Sequence, residues 1–304
     1  METEEMQYII RTVSHVLVVI ALVVLLLGAL TWLGVIKCSV VPGWCNIYYG
    51  VMGEPRVLIV FGNDGLGDPE GLRLFLADPR YVGVHADIKH MQYISEENLK
   101  ENNLVIVEKA KTMSTKKMQD FLGYANAGGR LIWVADSGTE LTANDLYLYK
   151  DELNQEAEHE MLGPWARKTD QGEIVNLQNY ISVAYQGNYC DLMGCDAEES
   201  QITGKLVPSS TDHPLVFGMT PNLPFKGNFT VVQEVSGIGT KLVLSIDADR
   251  PVLAGEENLG QTVPVIVTSG LGEKIAYYAF PPEQLYEKMQ YSTLVENMYY
   301  GMFE

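Results

Sequence analysis

The residues best suited to chemistry form the run Asp136-Ser137-Gly138-Thr139, which follows the apolar stretch 130–135, RLIWVA. A serine at the end of a strand and before a glycine can ride a sharp turn that exposes its hydroxyl. To act as a nucleophile, Ser137 needs an imidazole to take its proton and donors to receive an oxyanion. His213 is the expected base, His159 a second choice, and Asp136 the adjacent carboxylate. The run lacks a glycine two residues before the serine. A strand-end turn closed by side-chain-to-backbone hydrogen bonds accounts for the same residues.

Asp136-Ser137-Gly138 also resembles the aspartic-protease signature. That chemistry needs two such loops sharing one proton, and the chain has one copy. The loop 62–67, GNDGLG, precedes Asp68-Pro69-Glu70, a helix start with Asp as cap and Pro in the first turn. It lacks the Gly-Lys-Ser/Thr ending of a phosphate loop, and Asp64 and Asp68 would repel a phosphate. His15, His85, His90, His159 and His213 are scattered, and no two share a helical face. His85, Asp87 and His90 make at best a weak metal cluster, so neither metal nor cofactor is expected. The four cysteines form two close pairs, Cys38 with Cys45 and Cys190 with Cys195. Short loops between paired cysteines suit disulfides in an oxidising space, and the spacing is not that of a zinc ribbon. Asn228-Phe229-Thr230 is a glycosylation sequon.

These groups need a frame. Lys and Arg number 21 against 39 Asp and Glu, a net charge of −18. A nucleic-acid partner is therefore excluded, because it demands a basic face. Hydrophobic residues make up 47%, enough for a sizeable core. Residues 16–36 carry no charge. As a helix they span about 31 Å, close to the ~30 Å of a bilayer's hydrocarbon. Trp32, Lys37 and Arg11 sit where interface anchors belong. The expected organisation is an acidic tail (1–12), a transmembrane helix (13–37) held in lipid through 16–36, a juxtamembrane connector (38–54) and a lobe (55–304). An irregular acidic insertion at about 140–200 contains a helix near 146–161. The remainder of the lobe alternates strands with amphipathic helices, the pattern of a mostly parallel, doubly wound α/β sheet. The cysteine pairs and the sequon place the lobe outside the cytoplasm, on a single-pass protein of the cell membrane.

Three segments, in order, resemble the class I glutamine amidotransferase-like superfamily, nearest its trehalose-utilisation-like and β-galactosidase-trimerisation-like branches. They are RVLIVFGNDG (56–65), FLGYANAGGRLIWVADSG (121–138), and a tail in which HPLVFG (213–218) precedes VPVIVTSGLGEKIAYYAFPPE (263–283) and a terminal helix with Asn297. The resemblance implies a flavodoxin-like fold over 55–304, apart from the insertion. It also implies a catalytic cysteine on a sharp turn after a central strand, with a downstream histidine and acid. The corresponding turn, 135–139, has no cysteine. Glutamine hydrolysis is therefore not expected, for want of a thiolate. The leading expectation is a non-catalytic binding or assembly module whose partners are other membrane or surface proteins. The alternatives are a tethered hydrolase of carbohydrate or peptide using Ser137, Asp136 and His213, and a sensor of a small ligand around Asn63, Asp64, Glu108 and Ser137.

Overall fold

The computed structural model describes residues 2–32, 36, 41, 43–78, 80–146, 163–169, 171–195, 202–285 and 289–303. They fall into two compact units, residues 1–54 with the last two residues, and residues 55–302. The first unit holds helix α1 (Glu2–Trp32) and helix α2 (Trp44–Met52). Within α1, Thr12–Trp32 is 21 residues long with mean hydropathy 2.9 and none of it buried. Among the described residues it is the one helix long and apolar enough to cross a membrane. It covers residues 13–32 of the expected span, of which residues 33–35 and 37 lie outside the described residues. The acidic tail is helical and continuous with it. The Trp44 indole is buried, and its Nε1 donates to Thr31 Oγ1 at 2.9 Å. The Cys38–Cys45 pair and His159 lie outside what the structure describes, as does most of the helix expected near 146–161.

The second unit opens with β1 (Val57–Phe61), α3 (Pro69–Ala77), β2 (Ala86–His90), α4 (Glu96–Lys100), β3 (Leu104–Glu108), the short β4 (Thr112–Met113), α5 (Thr115–Asn126) and β5 (Arg130–Val134). Next come β6 (Glu140–Leu141), α6 (Ala143–Leu146), β7 (Ala166–Lys168), β8 (Ile174–Asn176), α7 (Gln178–Ile181), β9 (Val183–Asn188) and α8 (Tyr189–Met193). The chain then continues through β10 (Ile202–Pro208), β11 (Leu223–Lys226), β12 (Thr230–Glu234), β13 (Lys241–Ala254), β14 (Glu257–Ser269), β15 (Ile275–Tyr278) and α9 (Ser292–Tyr300). Nine strands form one sheet, ordered β11-β10-β13-β14-β15-β5-β3-β1-β2.

The expected parallel order holds from β2 through β1, β3 and β5 to β15. The other four strands are antiparallel: tight turns at 255–256 and 270–274 fold β14 back beside β13 and β15 back beside β14, and β10 and β11 complete that side. Strand order reverses between β1 and β3, so right-handed crossovers put α3 on one face and α4 with α5 on the other. The contacts agree: α3 packs on β1 and β2, and α4 packs on α5. Runs such as Val57–Val60 and Leu104–Val107 are buried throughout, as a sheet covered on both faces requires. Helix α5 buries Met118, Phe121 and Leu122, and α9 buries Leu294, Val295, Met298 and Tyr299.

The strand expected from Tyr81 begins only at Ala86, because residues 80–82 turn back beneath α3. Beyond β10, strands β13 and β14 run on as a two-stranded ribbon. On it, Arg250 donates to the carbonyls of Met193 (2.6 Å) and Gly194 (3.1 Å). Those carbonyls belong to the turn that the Cys190–Cys195 disulfide closes, with Cα atoms 4.7 Å apart.

Candidate functional site

The loops after β1, β3 and β5 meet where strand order reverses, the usual place for a ligand in an open α/β sheet. Two of these strands end on a non-glycine residue in the left-handed region, Lys109 at φ 49° after β3 and Ala135 at φ 52° after β5. Such a backbone costs about 1 kcal/mol or more and persists only where its surroundings fix it. Here the carbonyl of Ala135 accepts from the buried Tyr277 hydroxyl (3.2 Å), and the Lys109 backbone exchanges bonds with Leu66 and Gly62. The sharp turn is thus present, and its strained position carries a methyl group.

Ser137, two residues on, is wholly buried, and its Oγ has no hydrogen-bond partner among the described residues. Its carbonyl accepts from two indoles, Trp133 Nε1 and Trp165 Nε1, each at 2.8 Å. Gly138, at φ 72°, admits no side chain, since a Cβ there would lie 3.0 Å from the Trp133 ring. Arg167, also buried, spreads its guanidinium over the carbonyls of Pro164, Ala166, Gly138 and Glu140. Asp136 accepts from Leu66 N–H (2.9 Å) and Asn188 Nδ2 (3.0 Å), and Asn188 in turn accepts from Thr230 Oγ1 (3.0 Å). Its carboxylate therefore splices the β1 loop to the insertion.

His213 is not brought to Ser137. Its Nε2 lies 2.6 Å from Glu273 Oε2, and its Nδ1 accepts from Leu215 N–H at 3.2 Å. Glu273 precedes β15, at the level where β5 begins, whereas Ser137 follows the end of β5. Four paired residues lie between the two levels, about 13 Å or more at the rise of a strand. Both imidazole nitrogens are thus spent at the opposite end of the sheet. Burial pulls the Glu273 carboxyl up, but bonds from Lys241, His213 and Thr268 outweigh it and hold it at about 2.

The ligand candidates divide. Asn63 Oδ1 is bonded to His90 Nε2 (3.1 Å), and Asp64 accepts from Thr112 N–H (3.1 Å) and Thr112 Oγ1 (2.5 Å), so both tie loops together. Glu108 is different. It is fully buried at the end of β3, and neither carboxyl oxygen has a partner. Gly67, at φ 130°, leaves room for it, for a Cβ there would stand 3.2 Å from Glu108 Oε2.

Glu283, in the turn after β15, faces Glu108; its Oε1 accepts from Asp68 N–H at 2.6 Å and its Oε2 is unpartnered. Burial first, then the charges of Glu283 and Asp68, push Glu108 well above the carboxylate range. Burial likewise raises Glu283 to about 7, against the pull of the backbone N–H bonds it accepts. Two carboxylates cannot bond each other. One retained proton makes one of them a donor and binds the pair.

Nothing in the sequence marked Glu283 except its place two residues after Pro281 at the end of an apolar strand. Asn188 and Arg167 gave no signal, because long-range packing alone assigns their roles. Asp68 stands at the N-cap of α3 as expected, although its side chain makes no capping bond. Asn228 uses its carbonyl on Cys190 N–H and Phe229 N–H, and the sequon's Thr230 is buried. Among the described residues no three His, Cys, Asp or Glu side chains are arranged to hold a metal ion.

No protein-family model matches the chain, and no curated protein matches it in sequence. Solved structures do resemble it. A ThuA-like protein from Bacteroides uniformis superposes with a TM-score of 0.52 at 14% identity, over 82% of this chain and 92% of that one. A cold-adapted β-galactosidase from Rahnella sp. R3 gives 0.49 at 13% identity, over 81% of this chain and 31% of that larger one. PurLQS from Thermotoga maritima gives 0.44 at 10% identity, over 82% and 98%. The first of these likenesses carries a conclusion on fold alone: the lobe is mixed α/β with a large, mostly parallel sheet, and it folds like that ThuA-like protein.

Proposed function

We propose that the chain is a single-pass membrane protein whose extracytoplasmic lobe is a non-catalytic binding or assembly module. One observation carries this reading: Ala135 occupies the strained position of the turn after β5. A methyl group has no lone pair to offer, and nothing beside it takes over. Ser137 is sealed beneath two indoles, and His213 is tethered at the far end of the sheet. For that reason we do not favour the hydrolase alternative. Support for the anchor comes from the unburied apolar helix Thr12–Trp32, and support for an oxidising exterior from the Cys190–Cys195 disulfide.

The test has two arms. The full chain is expected to stay in the membrane pellet after an alkaline carbonate wash, and to migrate in mild detergent as a complex larger than itself. Release by the wash would end the anchored reading. Turnover of ester, peptide or glycoside substrates that Ser137→Ala abolishes would end the non-catalytic one.

A specific feature favours the small-ligand sensor as second choice, namely the buried Glu108–Glu283 carboxyl pair and the unpartnered Ser137 Oγ where the strand order reverses. Thermal-shift screening with sugars, amino acids and nucleotides tests it. A shift that Glu108→Gln removes supports it, and uniform silence rejects it.

A further inference from the structure

The nine-stranded sheet has two edges, and they are finished differently. At one edge β11 carries Pro224, which has no N–H to offer, and the Pro224 carbonyl accepts from the Tyr291 hydroxyl. At the other edge β2 pairs with β1 on one side, and among the described residues no strand covers its outer side. Strand β2, ADIKH, contains no proline. Its outward backbone groups are a template for one more strand.

The side chains say which strand fits. Asp87 and Lys89 are both exposed, and two residues apart they share one face of the strand. Among the described residues neither is in an ion pair, whereas the charges nearby are taken: Asp78 pairs with Arg80 at 2.5 Å, and Glu70 with Arg73. A lone lysine on an edge repels a second copy of itself. A lysine two residues from an aspartate does not. Laid antiparallel with the two-fold axis at Ile88, a second β2 sets Asp87 opposite the partner's Lys89, and Lys89 opposite the partner's Asp87. Unlike charges then face each other at about 4.5–5.5 Å between Cβ atoms, and like charges take the diagonals at roughly 7–8 Å. On the other face the half-buried Ile88 meets its own copy, and Ala86 meets His90. The exposed His85 falls opposite Met91, so no like charge enters at the ends. Moving the axis to residue 87 or 89 sets aspartate against aspartate or lysine against lysine. Parallel pairing does the same. The pattern therefore admits one register and penalises its neighbours.

We propose that β2 is a homodimer edge. Two copies of the chain join β2 to β2 antiparallel about Ile88, so that two nine-stranded sheets become one continuous sheet. The contact is isologous, each copy giving the other the charge it lacks. This goes beyond the assembly reading, which concerns other proteins, and needs no part of the membrane reading.

The test uses the purified full chain in mild detergent, with the mass read by analytical ultracentrifugation. The wild type is expected to form a dimer. Asp87→Lys and Lys89→Asp each set like charges opposite one another and should raise the dimer dissociation constant about tenfold or more. Mixed in equal amounts, the two variants carry opposite charges on facing edges, so the dimer should return. Its return also shows that both variants fold. Three results overturn the proposal: a wild type that stays monomeric, a dimer that neither variant weakens, and a weakened dimer that mixing fails to restore. Each of them leaves the assembly reading standing, because no other protein is present in the purified sample.

Discussion

The two ends of the parallel strands are built on opposite terms. Where the strands finish, polar groups are buried: Glu108 and Glu283 face each other as a carboxyl pair, and Ser137 Oγ lacks a partner. Two non-glycine residues there hold left-handed backbone. Where the strands start, charged groups are paired, as in Lys241–Glu273–His213, and the apolar Ile238 and Leu271 are among the exposed side chains. Strain and unmet hydrogen bonds collect where a fold of this kind keeps its chemistry. The lesson is that a turn without a reactive side chain is nonetheless held in a strained form by its surroundings. The turn at Ala135 keeps its geometry because Tyr277, Trp133 and Trp165 still hold it.

That contrast can be broken by mutation. Trp133→Ala removes the ring packed edge-on against Phe121 and one of two donors to Ser137, and should cost about 4 kcal/mol. In a lobe of this size thermal unfolding by circular dichroism would fall by roughly 10 °C.

The acid pair comes next. Burial raises both carboxyls of the Glu108–Glu283 pair above their ordinary 4.5, Glu283 to about 7, so above 4.5 the folded pair holds a proton the unfolded chain has lost. The pair's contribution is complete below pH 4.5 and is lost as pH rises through the raised values. The melting temperature should therefore decline from pH 5 to pH 8, and Glu283→Gln should flatten that decline. An unchanged slope would place the proton elsewhere.

Ala135→Gly should stabilise by about 0.5–1 kcal/mol, because glycine accepts φ 52° without strain. Denaturant unfolding would detect the gain, and a loss would mean the methyl group is needed for packing. Smallest is His213→Gln, at most about 1 kcal/mol, as suits an ion pair near the surface. Its mark is on the acid limb. Stability from Glu273 is present above pH 4.5 and drains as pH falls toward 2, and the variant should begin that loss at higher pH.

Much of the frame was legible because it rests on local rules. Continuous apolar runs such as VLIVF and LVIV announced covered strands, Asp68-Pro69 announced the start of α3, and Gly128-Gly129 the end of α5. The pairing of Cys190 with Cys195 followed from a short loop. The antiparallel half of the sheet was less visible, since runs such as those of β13 and β14 have no direction written into them. The site was legible only in part. Glu108 could be named from its place at a strand end. Its partner Glu283 lies 175 residues away, joined by topology alone. His213 looked like a base because histidine can be one, yet its two nitrogens are committed by contacts no spacing reveals.

The ribbon formed by β13 and β14 has one further consequence. Its far portion leans through Arg250 on a turn kept shut by Cys190 and Cys195. The posture of this arm therefore answers to the redox state of its compartment. In a reducing medium the prop opens, and a protease should nick the arm before it touches the rest of the lobe.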